Sequence, residues 1–202
     1  MRTLLCFGDS NTWGHDPATG TRFPREVRWP VRLQRALGEE WEVIAEGLGG
    51  RTAASDDPTT EGRNGAAYLL PCLRTHAPVD VVVIYLGTND VSMRYSLRAE
   101  DVARAVGRLV KIVRASETGP AGSAPEVLVV CPPPFSRLDP VYELEAAKSR
   151  ELGPAFAAVC DELGCALLDL DGAARYSDLD GIHLDADGHA AVARAVAQRL
   201  GA

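Results

Sequence analysis

The segment Val81-Val82-Val83-Ile84-Tyr85-Leu86 is the most apolar run inside the chain, and Gly87-Thr88-Asn89-Asp90 follows it directly. A continuous apolar run that ends in turn-forming residues predicts a strand covered by helices on both faces. The candidate strands of this kind are Thr3–Phe7, Glu42–Ala45, Val81–Leu86, Val127–Cys131 and Leu167–Leu170. They alternate with longer segments of helical spacing, which predicts βαβ units and an α/β fold: a three-layer α/β/α sandwich around a five-stranded parallel sheet.

Helical spacing is clearest between Val102 and Val113, where apolar residues fall on one face and charged residues on the other. The last helix shows the same pattern, with Asp187 as its predicted N-cap and Gly201 as its predicted stop. Weaker patterns predict helices at Pro30–Leu37, Gly65–His76 and Leu144–Leu163. Pro132-Pro133-Pro134 cannot continue a central strand, so the chain is expected to leave the sheet there.

The size and charge of the chain limit the classes of function. Its 202 residues are enough for one sizeable core, and we expect residues 1–202 to form a single domain. The formal net charge is −7, with no cluster of lysine and arginine. Nucleic acid and anionic membrane surfaces are therefore poor candidate partners, which leaves a small molecule as the expected partner.

Cysteine usage and the N-terminus predict a cytoplasmic location. The apolar stretch at the N-terminus is too short for a secretory leader, and the run Val81–Leu86 is too short to cross a bilayer. The cysteines form an odd, scattered set without a C-x-x-C pair, which favours free thiols in a reducing compartment. They are Cys6, Cys72, Cys131, Cys160 and Cys165.

Ser10 stands at the place where a strand-to-helix turn would expose a nucleophile. It follows the first apolar run and Gly8, so its Oγ would lie at the edge of the sheet. For an isolated Gly-Asp-Ser, the simpler interpretation is that Asp9 or Ser10 caps the next helix. The chain lacks G-x-S-x-G, because position 12 is Thr, and this disfavours the nucleophile elbow of the α/β-hydrolases.

Asp180 and His183 are three residues apart before the last helix. This spacing lets the carboxylate reach Nδ1 of the imidazole and leaves Nε2 free for a hydroxyl. The nearby acidic residues also admit a cation-binding loop, formed by Asp178, Asp180, Asp185, Asp187 and His189. Against that alternative, the segment has no EF-hand ligand pattern, and the chain has no H-E-x-x-H motif. We therefore predict no metal in the reaction.

Two further turns could supply hydrogen-bond donors to a developing oxyanion. Asn89 offers a side-chain amide after the strongest strand, and Gly49-Gly50 offers unobstructed backbone N–H groups after the second strand. Each is also compatible with an ordinary turn. Ser10, Gly50 and Asn89 all follow predicted parallel strands, and ligands of such sheets bind beyond the carboxyl ends of the strands.

Together these blocks resemble the SGNH/GDSL hydrolase superfamily. Gly8-Asp9-Ser10, Gly50, Gly87-Thr88-Asn89-Asp90 and Asp180 to His183 match its four blocks in order. Further matches resemble the bacterial arylesterase/acyltransferase branch: Cys6 to Gly14, Arg28-Trp29, Glu46-Gly47-Leu48, Arg51-Thr52, Asn64-Gly65 and Tyr68-Leu69. One departure is Glu46-Gly47, where many members carry Asn. This leaves Gly49 or Gly50 as the backbone donor, and Gly50 is favoured because it directly precedes Arg51-Thr52.

The resemblance implies a flavodoxin-like sheet and a serine esterase for small-molecule esters with short acyl chains, aryl esters among them, with some acyl transfer to alcohols. It implies Ser10 as nucleophile, His183 as general acid and base, Asp180 as its orienting carboxylate, and Ser10, Gly50 and Asn89 as the oxyanion hole. It needs no cofactor. The expected substrate contacts are Asp9, Trp13, Gly49, Tyr85 and Phe135. A carbohydrate O-deacetylase, a thioesterase or a non-catalytic cation-binding domain are the alternatives, and a homo-oligomer is a further expectation.

Overall fold

A parallel sheet forms the centre of the molecule. The computed structural model describes residues 1–136 and 140–201. Within them the sheet has five strands, all parallel, in the order β2-β1-β3-β4-β5. Their bounds are β1 Arg2–Gly8, β2 Trp41–Gly47, β3 Val81–Tyr85, β4 Glu126–Cys131 and β5 Ala166–Asp169. The predicted fold class and the strand positions are confirmed, with the observed ends shifted by one or two residues.

Helices cover both faces of the sheet. Their bounds are α1 Ser10–Trp13, α2 Trp29–Leu37, α3 Gly65–His76, α4 Ala99–Arg114, α5 Glu143–Arg150, α6 Leu152–Leu163 and α7 Ala186–Arg199. α2 packs against α7, and α4 packs between α3 and α6. From β1 the chain crosses to the neighbouring strand β2 through α2, and it then crosses in the opposite direction along the sheet, to β3, β4 and β5, through α3, α4 and α6. Because the crossovers are right-handed, the two directions place α2 on one face of the sheet and α3, α4 and α6 on the other. The result is the three-layer sandwich.

The strand order creates one switch point, between β1 and β3. The chain runs from β1 to one side of the sheet and from β3 to the other. Gly8 at the end of β1 pairs with Gly47 of β2 and Tyr85 of β3, so the carboxyl ends of three strands lie side by side. This is the place where open α/β sheets bind their ligands.

The sheet is also the core. Every residue of β3 is buried, and its neighbour β1 is buried from Leu4 to Gly8. β2, at the edge, is half-buried. This gradient explains why β3 is the most apolar run in the sequence: only a central strand loses solvent on both faces.

Two expectations about helices are wrong. The segment Leu144–Leu163 forms two helices, α5 and α6, with a break at Glu151. Pro154 has no N–H to donate to the carbonyl of Arg150 four residues earlier, which disfavours one continuous helix there. The N-cap of α7 is Asp185 and not Asp187, because the Asp185 side chain accepts the N–H of Gly188 at 2.8 Å.

Candidate active site

Ser10, His183 and Asp180 form a continuous chain of hydrogen bonds at the carboxyl edge of the sheet. Nε2 of His183 lies 2.9 Å from Oγ of Ser10, and Nδ1 of His183 lies 2.6 Å from Oδ2 of Asp180. Ser10 opens α1 directly after β1, whereas the other two lie in the loop between β5 and α7. The structure therefore brings together the two segments that the sequence separates by 173 residues.

The loop that carries Asp180 and His183 is held by the aspartate itself. Oδ1 of Asp180 accepts the backbone N–H groups of Ile182 at 3.1 Å and His183 at 3.0 Å, while Oδ2 faces the imidazole. Burial acts to raise the pKa of Asp180, but the hydrogen bond from His183 and these N–H groups outweigh it and lower the pKa below 3.8. The carboxylate is thus ionised and fixed in the position that orients the imidazole.

Asn11 joins the serine turn to the histidine loop. Its Nδ2 donates to the carbonyl of Ile182 at 3.1 Å, and its Oδ1 accepts the N–H of Leu184 at 2.9 Å. These two backbone groups flank His183, so the buried amide of Asn11 is hydrogen-bonded to the loop on both sides of this histidine. The sequence analysis did not single out Asn11, although its place directly after Ser10 is a signal that could have found it.

Ser10, Gly50 and Asn89, the residues expected to supply hydrogen-bond donors, follow the carboxyl ends of β1, β2 and β3. The N–H of Ser10 is at the first position of α1, where a helix offers no internal acceptor. Gly50 has φ +75, and a Cβ built there would lie 2.5 Å from Nε of Arg63. Nδ2 of Asn89 lies 3.0 Å from the carbonyl of Arg51 and 3.4 Å from Oδ2 of Asp9.

Comparison with known proteins matches this arrangement to one family. The sequence profile of the GDSL-like lipase/acylhydrolase family matches residues 6–191.

The chain belongs to this family.

Solved structures agree over the whole chain. The aryl esterase of M. smegmatis is 37% identical, with a TM-score of 0.93, and the match covers 99% of this chain and 98% of that one. A carbohydrate acetylesterase family member from Sinorhizobium meliloti is 40% identical, with a TM-score of 0.92 and full coverage of both chains. A second carbohydrate acetylesterase from that organism is 35% identical, with a TM-score of 0.92, and covers 99% of this chain and 98% of its own. No curated protein sequence matches the chain. The expected family is confirmed, and this GDSL-like acylhydrolase is a carboxylic ester hydrolase.

A cavity of about 470 Å³ opens beside the hydrogen-bonded chain, a size that suits a small-molecule ligand. Gly50, Asn89 and Asp180 line one end of it, and Phe135 lines an apolar part. Gly49 is exposed and lies outside the lining, so the cavity favours Gly50 over Gly49 as the backbone donor.

Two of the expected substrate contacts are corrected by burial. Asp9 and Tyr85 have no exposed surface. Asp9 instead caps α1 by accepting the N–H of Asn11 at 2.8 Å, and Tyr85 packs its ring against Trp29. Trp13 is partly buried outside the cavity lining, with the Arg22 guanidinium 4.9 Å from its ring centre. Phe135 is the aromatic residue of that set that faces the cavity.

The far wall of the cavity is polar. Asp57 accepts hydrogen bonds from Arg63 at 2.6 Å, Arg94 at 3.2 Å and the Tyr95 hydroxyl at 3.2 Å, all on Oδ2. Both arginines and Tyr95 line the cavity, as does Glu145. Arg63, Arg94, Tyr95 and Glu145 therefore give the cavity lining several donors and one carboxylate.

Two buried carboxyls, Asp9 and Asp90, directly neighbour Ser10 and Asn89 in the sequence. Burial raises the pKa of Asp9 to about 6, against the lowering effect of the Asn11 N–H and of His183. Burial likewise raises the pKa of Asp90 to about 7, although the Ala53 N–H opposes it. Asp90 thus ties the loop after Gly50 to the turn that carries Asn89.

Arg51 connects the same loop to two strands. Its Nη1 donates to the carbonyl of Gly8 at 2.9 Å and to the carbonyl of Glu46, and its own carbonyl accepts from Asn89. The guanidinium lies 4.3 Å from the ring centre of Phe7. The guanidinium of Arg51 therefore contacts the strand end before Ser10 and the strand end before Gly50, while the backbone carbonyl of the same residue holds the amide of Asn89.

Two groups of side chains in the described part of the chain have metal-ligating composition and close ligand atoms. They are His15 with Asp180 and His183, and Glu46 with Cys72 and His76. Neither group contains Asp178, Asp185 or Asp187, so the acidic loop does not assemble the cation site considered from the sequence. His189 is fully buried, and its Nδ1 lies 3.3 Å from the N–H of Trp29. Burial lowers the pKa of His189 to about 4, so this imidazole is neutral and structural.

Proposed function

We propose that this protein hydrolyses short-chain acyl esters through an acyl intermediate on Ser10. The observation that carries the proposal is the hydrogen-bonded chain from Ser10 through His183 to Asp180, at 2.9 and 2.6 Å. This series of hydrogen bonds has the geometry needed to remove the proton of a serine hydroxyl. Asp180, the last member of this series, lines the small-molecule cavity, which supports binding of an ester beside Ser10.

The residues act in sequence on the ester. Nε2 of His183 takes the Ser10 proton as Oγ attacks the carbonyl carbon, and Asp180 stabilises the imidazolium that forms. His183 then gives the proton to the departing alkoxide oxygen, which leaves as the alcohol. Water attacks the acyl-serine in the second half-reaction, with His183 again as the base, and the carboxylic acid is released.

The oxyanion of each tetrahedral intermediate is held by three donors. The N–H groups of Ser10 and Gly50 and the amide of Asn89 supply them in this proposal. Support comes from their geometry: Ser10 N–H is a free helix-terminal donor, and Gly50 and Asn89 both line the cavity next to Ser10.

A carbohydrate O-acetyl ester is the second candidate substrate, beside simple aryl and alkyl esters. The wall formed by Arg63, Arg94, Tyr95 and Glu145 offers donors and an acceptor suited to hydroxyl groups. Two structurally similar proteins are described as carbohydrate acetylesterases, which supports the same candidate. Rates with a series of acetyl, butyryl and octanoyl esters of phenols, alcohols and sugars will separate the two. A preference for acetylated sugars would indicate that these four side chains bind the sugar, which is the leaving group of such an ester.

Acyl transfer to alcohols is part of the proposal, because any alcohol that reaches the acyl-Ser10 can replace water. The apolar portion of the cavity around Phe135 supports it by disfavouring water there. The ratio of transfer product to acid at increasing alcohol concentration measures it. Strict hydrolysis at high alcohol would exclude transfer.

Replacement of Ser10 by Ala removes the nucleophile and should abolish turnover. We expect a loss of at least about four orders of magnitude in kcat, with the melting temperature little changed, because only a hydroxyl is removed from a site of low exposure. Initial rates and thermal melts of wild type and Ser10→Ala test this. Full activity in the purified variant would refute the assignment of Ser10.

The cellular location and the oligomeric state of the protein are also part of the proposal. None of the helices in the described part of the chain combines the length and apolar character that a bilayer crossing needs. All five cysteines are free in the structure, which supports a cytoplasmic location. The prediction of a homo-oligomer stays a prediction, to be tested by light scattering on the purified protein.

A further inference from the structure

His15 places a second imidazole against His183. The two ring centres are 4.1 Å apart, and the rings are inclined by 41°. Asp180 completes the group: one ligand atom from each of the three residues lies within 4.8 Å of the others. All three residues are partly exposed, so solvent and dissolved ions reach them.

The backbone of His15 is fixed, whereas its side chain is free to take a ligand. Gly14, with φ +95, ends α1, and the N–H of His15 then donates to the carbonyl of Ser10 at 3.0 Å. A β-bridge to Arg22 holds the residue from the other side. The imidazole makes no hydrogen bond with any residue that the structure describes. It is therefore positioned beside His183 without a structural contact that would fix its nitrogens.

Two imidazoles and a carboxylate are a donor set that suits Zn²⁺. Zinc–nitrogen bonds of about 2.0–2.1 Å place two ligands of a tetrahedral site about 3.4 Å apart. Nδ1 of His183 and Oδ2 of Asp180, which are 2.6 Å apart, would separate by about 0.8 Å to admit the ion, and a pair at the 4.8 Å limit would approach by about 1.4 Å. Small rotations about the χ angles of the three side chains can supply shifts of this size. Three protein ligands leave the fourth position to water, as expected for an ion captured at a partly exposed site.

We propose that Zn²⁺ binds between His15, His183 and Asp180 and thereby inhibits the enzyme reversibly. A bound ion occupies one nitrogen of the His183 imidazole together with the Asp180 carboxylate, so the imidazole can no longer both face Asp180 through Nδ1 and accept the Ser10 proton at Nε2. A bound ion therefore removes the base without touching the nucleophile. The consequence for activity rests on the proposed role of His183; the binding itself does not.

The second metal-ligating group provides an internal comparison. Glu46, Cys72 and His76 lie between β2 and α3, and Oε1 of Glu46 is 2.9 Å from Nε2 of His76. None of them belongs to the hydrogen-bonded chain of Ser10. Zinc at this second group would bind without displacing His183, so a variant there separates simple binding from inhibition.

Initial ester-hydrolysis rates across a zinc titration test the proposal with three proteins: wild type, His15→Phe and Cys72→Ser. His15→Phe keeps an aromatic ring against His183 and removes both ligand nitrogens. We expect the wild type and Cys72→Ser to be inhibited and to recover fully on addition of a chelator. His15→Phe should keep the basal rate and need at least about tenfold more zinc, since changes around a metal site typically cost 10–100-fold in affinity.

Calorimetric titration of zinc into wild type, Ser10→Ala and His15→Phe supplies a readout that needs no turnover. Wild type and Ser10→Ala should show a binding event that His15→Phe lacks. If the wild type hydrolyses no ester, the proposed function fails while this titration still decides the site. Zinc insensitivity of an active wild type, equal inhibition of His15→Phe, or an unchanged binding isotherm in His15→Phe would each overturn the inference.

Discussion

At the residue scale, two hydrogen bonds orient the side-chain amide of Asn89, the proposed donor to the oxyanion. Its Nδ2 makes a short hydrogen bond to the carbonyl of Arg51 at 3.0 Å and a long one to Oδ2 of Asp9 at 3.4 Å. The first contact fixes the direction of the amide. The second is weak by its length, so the same N–H can turn to an oxyanion at little cost.

Asn89→Ala should therefore lower kcat by about two to three orders of magnitude and leave KM nearly unchanged. The reason is that the interaction forms in the transition state and not with the bound ester. Steady-state kinetics on one aryl acetate measure the effect. Asn89→Asp is the matched variant, because it keeps the shape and loses the donor. If Asn89→Asp retained the wild-type rate, the amide would have no part in catalysis.

Some site residues could be predicted from the sequence and others could not. Asp180 and His183 are three residues apart, a spacing that already implies their contact, and Ser10 follows a predicted strand whose carboxyl end lies at the same edge of the sheet. Asp9 and Tyr85 were assigned to the substrate because they neighbour the site in sequence, yet both point into the core. The direction of a side chain at a strand end depends on the exact end of the strand, which the sequence leaves open by one or two residues.

At the scale of elements, the site lies where the loops that follow β1, β2 and β3 come together, and Arg51 contacts a residue at or after the end of each of these strands. It bonds the carbonyl ends of β1 and β2 and supplies the acceptor for Asn89. No spacing rule predicts this, because the guanidinium reaches residue 8 across a strand. Strand positions, by contrast, follow from apolar runs, and the one misread helix pair follows from Pro154.

Arg51→Met should lower both stability and kcat, because it removes the guanidinium hydrogen bonds to the carbonyls of Gly8 and Glu46, of which the Gly8 carbonyl keeps the N–H of Leu48. A hydrogen bond made by a charged group contributes about 1.5–3 kcal/mol. Arg51→Lys keeps the charge but not the planar fork, so we expect an intermediate effect. Thermal melts, followed by kcat and KM well below the melting temperature, separate the two consequences. A folded Arg51→Met protein with normal kcat would show that the loop ends hold their positions without the guanidinium.

At the scale of the whole molecule, the sheet buries ionisable groups, and this makes stability depend on pH. Asp90 has a pKa of about 7 in the folded protein, raised by burial from its ordinary value of 3.8. Between these values the folded chain holds a proton that the unfolded chain has lost. The contribution of Asp90 to the free energy of unfolding therefore falls as the pH rises from about 4 to 7.

Asp90→Asn removes this titration and keeps an amide oxygen for the N–H of Ala53. The difference in unfolding free energy between variant and wild type should therefore shift in favour of the variant as the pH rises from about 4 to about 8. Denaturant unfolding across that range measures it. A difference independent of pH would show that Asp90 does not titrate there. The same experiment tests the prediction that residues 1–202 form one domain, since one domain should unfold in a single transition.

The separation of Ser10 from His183 has a consequence for the newly made protein. With Ser10 as the proposed nucleophile and His183 as its proposed base, the ribosome makes the serine 173 residues before the histidine, or roughly 9–35 s earlier at about 5–20 residues per second. The five strands of the sheet are translated before the histidine loop. A nascent chain can therefore build its sheet before the proposed base is present. On this proposal, hydrolytic activity begins only when the last loop, hydrogen-bonded to Asn11, closes onto the first turn.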